Sequence, residues 1–309
     1  MGIKACILGN TSLGYSWFVR TYKQGLKLNG YEVIEIDYKT TPLNEIKKRL
    51  LSEKPAIVFT HLTFHKIYPI PTVLNMYREL YQKGIKIIHL CYDARTKDRY
   101  MENVSGAFSA ALVGNIPLRD NCIKAWKIPV HYLPYASMTY DKMALPEKDL
   151  MFREAVFTGN KDAHMDRKNF IERLSKRIPI KIFHTQSKGD LRNKTHALSA
   201  SAKCILGLCT GYDIPFFFEV RHFQYLGSGA CLLARKFIGL DDFIPDNLYY
   251  SINSYDNDGV DLATEHYNKI LKTNTRPMQE EAFKFMQATH SSKVRIAEVL
   301  KFLKEDGIL

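Results

Sequence analysis

The sequence predicts an α/β protein built from two doubly wound, Rossmann-like domains that face a cleft, with C-terminal helices crossing back. Three observations carry that expectation. Short apolar runs alternate with amphipathic helical stretches, once from Ile3 to Leu133 and again from Ala155 to Lys304, which is the pattern of βαβ units and a parallel sheet. A run richer in proline and polar residues, Leu133 to Lys148, separates the two halves and reads as a linker. The length, 309 residues, is about twice that of a typical domain.

The first half opens with the apolar run Ile3–Leu8, a strand, followed by the loop Gly9-Asn10-Thr11-Ser12-Leu13-Gly14. A helix with Trp17, Phe18, Tyr22, Leu26 and Leu28 near one face ends at Asn29-Gly30. Val33–Ile36 is the second strand, and Pro42–Lys54 is a helix with Leu43, Ile46, Leu50 and Leu51 at helical spacing. Strand Ala56–Thr60, helix Pro71–Lys83 and strand Lys86–Leu90 follow. A weaker strand near Ala107–Val113, a helix near Pro117–Trp126 and a strand near Val130–Leu133 complete the first half. The pattern restarts with strand Ala155–Thr158, helix Arg167–Lys176 and strand Ile180–Phe183. Strand Cys204–Leu208, helix Glu219–Leu226 and strand Ala230–Ala234 come next, then helices Val260–Leu271, Gln279–Ala288 and Lys293–Lys304. The expected domains are 1–140, 141–285 and a terminal helix, 286–309, packing back towards the first.

Composition narrows the function classes. With 46% apolar and 25% charged residues the chain is neither disordered nor fibrous. No run approaches the roughly 18–20 apolar residues of a membrane span, and the opening apolar stretch is too short for a signal peptide. The six cysteines, Cys6, Cys91, Cys122, Cys204, Cys209 and Cys231, are scattered without Cys-x-x-Cys spacing. This argues against a zinc ribbon and for reduced core residues of a cytoplasmic protein. Lys and Arg number 44 against 32 Asp and Glu, a net +12. That excess favours an anionic partner: nucleic acid, a membrane surface or a phosphorylated ligand.

Two strand–loop–helix junctions are candidates for anion binding, because a helix start presents unpaired N–H groups and a positive dipole end. The first holds Asn10, Thr11, Ser12 and Gly14. It lacks the G-x-G-x-x-G spacing of a dinucleotide fingerprint, which argues against NAD or FAD. The second, Thr158-Gly159-Asn160, precedes a helix with Lys161, Arg167 and Lys168 close by. Gly159 permits close backbone approach. Cations at a helix start oppose the dipole, a cost that an anionic ligand removes. The segment from Glu219 to Leu233 contains Arg221 and Gln224, three apart and therefore on one helical face. The turn Gly227-Ser228-Gly229 leads from it into a buried strand. Asp256-Asn257-Asp258 matches an Asp-x-Asp metal pattern, but an acidic helix start is its ordinary reading. His61, His65 and Asp93 are candidate bases, with His61 and Asp93 just beyond carboxyl strand ends facing the expected cleft.

Arg221-x-Phe223 with Gly227-x-Gly229-Ala230 and the apolar strand after it resembles the carboxyl domain of CgeB-like glycosyltransferases, GT-B-fold enzymes related to glycosyltransferase group 1. Phe157-x-Gly159-Asn160 with Arg167-x-x-Phe170 resembles the start of that family's second domain. Val130-x-Tyr132-Leu133-Pro134-Tyr135-Ala136 resembles its interdomain run, and Gly84 to Asp93 a first-domain strand ending in an acidic residue. The likeness runs from about residue 70 to the end. It implies an acceptor domain at 1–140, a nucleotide-sugar domain at 141–285, and a sugar moved from a nucleotide-diphosphate co-substrate, UDP-sugar favoured, with no essential metal and no other cofactor. It implies donor contacts at Gly159, Asn160, Lys161, Arg167, Arg221, Gln224, Gly227, Ser228 and Gly229. It further implies stabilisation of the departing diphosphate by Arg221, Arg167 or Lys161, with Asp93 or His61 as base. Gln224 departs from the group, which usually has a Glu there to hold the ribose hydroxyls.

The positive charge points to a polyanionic acceptor, whether a cell-surface glycan, a lipid-linked sugar or DNA, and to peripheral membrane contact. Two alternatives accompany this expectation. One is a phage-type DNA glycosyltransferase; the other is a non-catalytic nucleotide- or nucleic-acid-binding protein on the same scaffold.

Overall fold

Eleven strands among the described residues assemble into two parallel sheets. The computed structural model describes residues 2–10, 17–61, 67–92, 104, 106–183 and 195–309. The chain forms two compact units, residues 1–134 together with 292–309, and residues 135–291.

Unit 1 contains β1 (Lys4–Gly9), α1 (Trp17–Leu28), β2 (Glu32–Asp37), α2 (Leu43–Glu53), β3 (Ile57–Thr60), α3 (Ile70–Gln82), β4 (Ile87–Cys91), β5 (Ala110–Val113), α4 (Ile116–Ala125) and β6 (Val130–Tyr132). Its strand order is β2-β1-β3-β4-β5-β6, all pairs parallel. β3, β4 and β5 are buried throughout, as strands covered by helices on both faces must be, which is why they read as continuous apolar runs. One face is closed by Ile46, Leu50, Leu74, Tyr77, Leu80, Leu118 and Trp126 from α2, α3, α4 and the residue that ends α4. Pro71 and Pro117 occupy the first turns of α3 and α4, where no N–H is needed. The Asn115 side chain caps α4 by accepting from Leu118 N at 2.8 Å.

The last helix of the chain, α10 (Ser292–Glu305), belongs to unit 1 and packs on α1. Gly25 makes the approach: a Cβ there would lie 2.4 Å from both Ile296 Cγ1 and the Ser292 carbonyl oxygen. Ser292 Oγ donates to Gln24 Oε1 at 2.7 Å, and Asn29 Nδ2 donates to the Lys293 carbonyl at 3.0 Å. Gly25→Val is therefore expected to separate the two helices and destabilise unit 1 by about 1–3 kcal/mol, the usual cost of overpacking. Urea unfolding monitored by circular dichroism checks this; unchanged stability would contradict the close packing.

Unit 2 contains β7 (Ala155–Thr158), α5 (Met165–Leu174), β8 (Ile180–Phe183), α6 (Thr195–Ser201), β9 (Cys204–Gly207), α7 (Val220–Leu226), β10 (Leu232–Arg235), β11 (Tyr250–Ile252), α8 (Asn257–Lys272) and α9 (Arg276–Thr289). The sheet order is β11-β10-β9-β7-β8, again all parallel. Its core joins Phe157, Phe170, Leu206, Leu233, Tyr255 and Ile270.

Three elements differ from the sequence expectation. The helix expected from Val260 begins at Asn257, because the Asp256 side chain accepts from Gly259 N at 3.0 Å and caps it. That cap is the role the structure gives the Asp-x-Asp sequence. β11 and α6 escape sequence reading. β11 is a three-residue, half-buried edge strand, and α6 spans fewer than two turns, too short for periodicity to register.

Candidate functional site

In a doubly wound sheet the strand order reverses at one point, and ligands bind beyond the carboxyl ends of the strands flanking it. In unit 2 that point lies between β7 and β9. Gly159 and Asn160 follow β7, and Leu208, Cys209 and Thr210 follow β9. Three arginines gather here.

Arg167, from the first turn of α5, is only 3% exposed. Its Nη2 donates to the Asn160 carbonyl at 2.7 Å and its Nη1 to the Leu208 carbonyl at 3.5 Å, so it ties the two strand ends together. Its Nε is buried without a hydrogen-bond partner among the described residues. Arg221, from the first turn of α7, pairs with Glu219. The guanidinium carbons of Arg167 and Arg221 lie 5.5 and 5.6 Å from the Phe157 ring centroid, so one aromatic ring serves both cations. Gly159 has φ +141°, and a Cβ there would stand 2.7 Å from Arg221 Nη2. Only glycine permits both that backbone and that approach.

Arg235, at the carboxyl end of β10, lies 4.4 Å from the Tyr212 ring and 5.5 Å from the Tyr255 ring. Tyr255 Oη donates to the Cys209 carbonyl at 2.5 Å. Glu219 accepts from Thr210 N at 2.8 Å and Thr210 Oγ1 at 3.0 Å.

The electrostatics are unbalanced. Arg221 and Arg167 both act on the Glu219 carboxylate, while Arg235 stands over Tyr212, whose hydroxyl donates to Asp166. Burial and then the neighbouring Arg221 both disfavour the charge on Arg167, while Glu219 favours it. Burial works against the Glu219 carboxylate, but Arg221, His222 and Arg167 outweigh it and hold its pKa below the usual carboxylate range. Burial pushes the Cys209 thiol up, leaving it an uncharged wall residue. Arg167 and Arg221 against Glu219 leave a positive surplus that an anion would neutralise.

The structure thus brings Gly159, Asn160, Arg167 and Arg221 together. Asn160 caps a short 3-10 turn by accepting from Asp162 N at 3.0 Å, and Lys161, half-buried, opens that turn without an ion pair among the described residues. Gln224 turns to α6, where its Nε2 donates to Thr195 Oγ1 at 3.1 Å. Gly227 and Gly229 are packing positions. Their added Cβ atoms would meet Ser137 Cβ at 2.2 Å and Met143 Cε at 2.3 Å, and their carbonyls accept from Gln287 and Gln279 of α9. Ser228 is buried beside them. Sequence reading left Arg235 and Phe157 out of the site.

In unit 1 the order reverses between β1 and β3, with Asn10 and His61 just beyond. Asn10 is buried. The His61 ring stands edge-on to Phe18 at 4.5 Å and faces Tyr92 at 6.5 Å. Burial is the main cause that lowers its pKa to about 4, so the imidazole is neutral at pH 7. Thr11, Ser12, Gly14, His65 and Asp93 lie outside the described residues.

No protein-family model matches the chain, and no curated protein matches it in sequence. Solved structures match over nearly its whole length. A glycosyltransferase from Rickettsia africae is similar with a TM-score of 0.63 at 13% identity, over 98% of both chains. Sucrose-phosphate synthase from Thermosynechococcus elongatus gives 0.62 at 11% identity, over 98% of both. Anabaena HepE, solved in complex with UDP and glucose, gives 0.61 at 10% identity, over 98% of this chain and 100% of that one. At such identities the likeness is one of fold: two Rossmann-like α/β domains, as in GT-B proteins.

Proposed function

We propose that the chain is a GT-B glycosyltransferase of the CgeB-like kind. It moves a hexose from a nucleotide-diphosphate sugar, UDP-sugar favoured, to an anionic or membrane-associated acceptor such as a cell-surface glycan, without a bound metal. The observation that carries this reading is the surplus of guanidinium charge at the switch point of unit 2, where Arg167 and Arg221 flank Phe157 and a positive-φ glycine. A diphosphate, with negative charge spread over two linked groups, suits two adjacent guanidinium charges. The similarity in fold to a protein solved with UDP and glucose supports the choice of nucleotide.

In this reading unit 2 holds the donor. As the glycosidic bond breaks, negative charge grows on the leaving diphosphate, and Arg221 and Arg167 stabilise it where it develops. Unit 1 takes the acceptor at the carboxyl ends of β1, β3 and β4, where Asn10, His61 and Asp93 follow in sequence. A His61 held neutral to about pH 4 is a weak base. The reading therefore gives His61 a positioning role and the acceptor proton to Asp93.

Calorimetric titration with UDP, GDP and ADP and their hexose conjugates tests it. Saturable binding of at least one pair is expected, together with slow release of the free nucleoside diphosphate from its sugar. No binding to any of them would end the proposal. Binding with no release, with or without glycan and DNA acceptors, would leave a non-catalytic nucleotide-binding protein.

A further inference from the structure

The positive charge is unevenly divided. The residues of unit 1 include 23 Lys and Arg against 13 Asp and Glu, and those of unit 2 include 21 against 19. The excess therefore belongs almost entirely to the unit without the arginine cluster.

Its placement follows from topology. In unit 1, only three or four residues separate the ends of α1, α2, α3 and α4 from the starts of β2, β3, β4 and β6. All four helix C-termini therefore lie at the amino edge of the parallel sheet, opposite the edge that carries Asn10 and His61. The register confirms a common edge: Glu32 N donates to the Ile3 carbonyl, Ala56 N to the Lys4 carbonyl, Val58 N to the Lys86 carbonyl and Ala111 N to the Pro129 carbonyl. Lys27, Lys54, Lys83, Lys86, Lys124 and Lys127 occupy these helix ends and turns, and none forms an ion pair with a described residue. Six strands set the edge at roughly 25 Å across.

Apolar side chains stand among these lysines. Of the six exposed large hydrophobic residues described in unit 1, four are at this edge: Ile3 at 59% exposure, Leu28 at 47%, Tyr81 at 42% and Ile123 at 54%. Exposed apolar groups scattered singly mean little, but four along one edge interleaved with unpaired lysines form a defined surface.

We propose that this amino edge of unit 1 is a docking surface for an anionic lipid bilayer. Lysine ammonium groups meet the negative headgroups, while the aliphatic tips and the Tyr81 ring enter the headgroup–acyl boundary. The chemistry favours lipid over nucleic acid. All six cations are lysines, point charges suited to a diffuse anionic surface and without the forked guanidinium that most often reads base edges. The apolar members are mostly aliphatic, where single strands need aromatic platforms. This surface is independent of the sugar-transfer reading and stands or falls separately from it.

Cosedimentation of the full chain with phosphatidylcholine vesicles, with and without phosphatidylglycerol, tests the proposal. Binding is expected only with phosphatidylglycerol and is expected to weaken with salt. Each lysine near an anionic surface is worth about fivefold in affinity, so Lys83→Glu/Lys124→Glu/Lys127→Glu should bind at least about a hundredfold more weakly. Lys176→Glu/Lys181→Glu, which removes exposed charge from unit 2, should bind as the parent does. Tyr81→Ser/Ile123→Ser should lose the binding that survives at high salt. Circular dichroism confirms that each variant is folded. Retention indifferent to phosphatidylglycerol, equal losses in the unit 1 and unit 2 variants, or duplex DNA displacing the chain from vesicles with Tyr81→Ser/Ile123→Ser unaffected would each overturn the proposal. The last result would make nucleic acid the partner.

Discussion

Arg221→Ala is expected to weaken binding of a nucleoside diphosphate by about a hundredfold, since removing one partner of a desolvated, hydrogen-bonded charge pair costs about 2–5 kcal/mol. Arg221 is held on three sides: by Glu219, by the Phe157 ring and by the bare backbone of Gly159. Its guanidinium is thus positioned before any ligand arrives, and little ordering remains to be done on binding. Glu219→Gln supplies the opposite result. Loss of the carboxylate beside Arg221 raises the net positive charge there, so a diphosphate should bind severalfold more tightly, while the melting temperature falls because Arg221 loses its partner. Calorimetry on both variants, at low and high salt, reads the two directions. If Arg221→Ala leaves affinity unchanged, the arginine cluster is a structural device and the donor site lies elsewhere. Weaker binding in Glu219→Gln would mean that Glu219 serves mainly to aim Arg221.

The second large effect is acid lability. His222, on α7, is 1% exposed, with Nδ1 3.3 Å from the Glu219 carbonyl. Burial lowers its pKa to about 4 from the ordinary 6.5; Glu219 partly opposes the shift and Arg221 adds to it. The unfolded chain therefore takes up a proton near pH 6.5 while the folded chain does not until about pH 4. The stability tied to the neutral ring is fully present above pH 6.5 and is lost as pH falls from there towards 4. The loss is on the order of 3 kcal/mol, from about 2.5 pKa units at 1.36 kcal/mol each. That is a large part of a typical domain stability of about 5–15 kcal/mol. Urea unfolding of unit 2 at about pH 7.5 and about pH 4.5 should show the drop, and His222→Leu should shrink it. A His222→Leu variant with the same acid slope as the parent would assign the effect to other groups, His61 first among them.

The parallel α/β character of both sheets and most of their strands were legible, because strands buried on two faces read as mostly apolar runs, as at Ile87–Cys91 and, more weakly, Ala110–Val113. The site was legible in part. Gly159, Arg167 and Arg221 could be found because a strand end, a glycine and a basic helix start adjoin in sequence. Arg235 could not, since its place beside Cys209 and Tyr255 depends on β10 pairing with β9, a fact of strand order rather than of local pattern. The spacing of Arg221 and Gln224 implied a shared face and shared work. α7 is under two turns long, and the two side chains reach different neighbours, Glu219 and Thr195. Gly227 and Gly229 drew notice as turn residues; their requirement comes from Ser137 and Met143, distant in sequence.

The return of α10 to α1 has a bearing on how the chain is made. Residues 135–291 are an insertion between the last strand of unit 1 and its closing helix. During synthesis from the N-terminus, the groove at Gly25 emerges early and stays uncovered while all of unit 2 is translated. Unit 2, second in order of synthesis, is therefore the first to have every segment it needs, and unit 1 is completed only when Ser292 and the residues after it leave the ribosome.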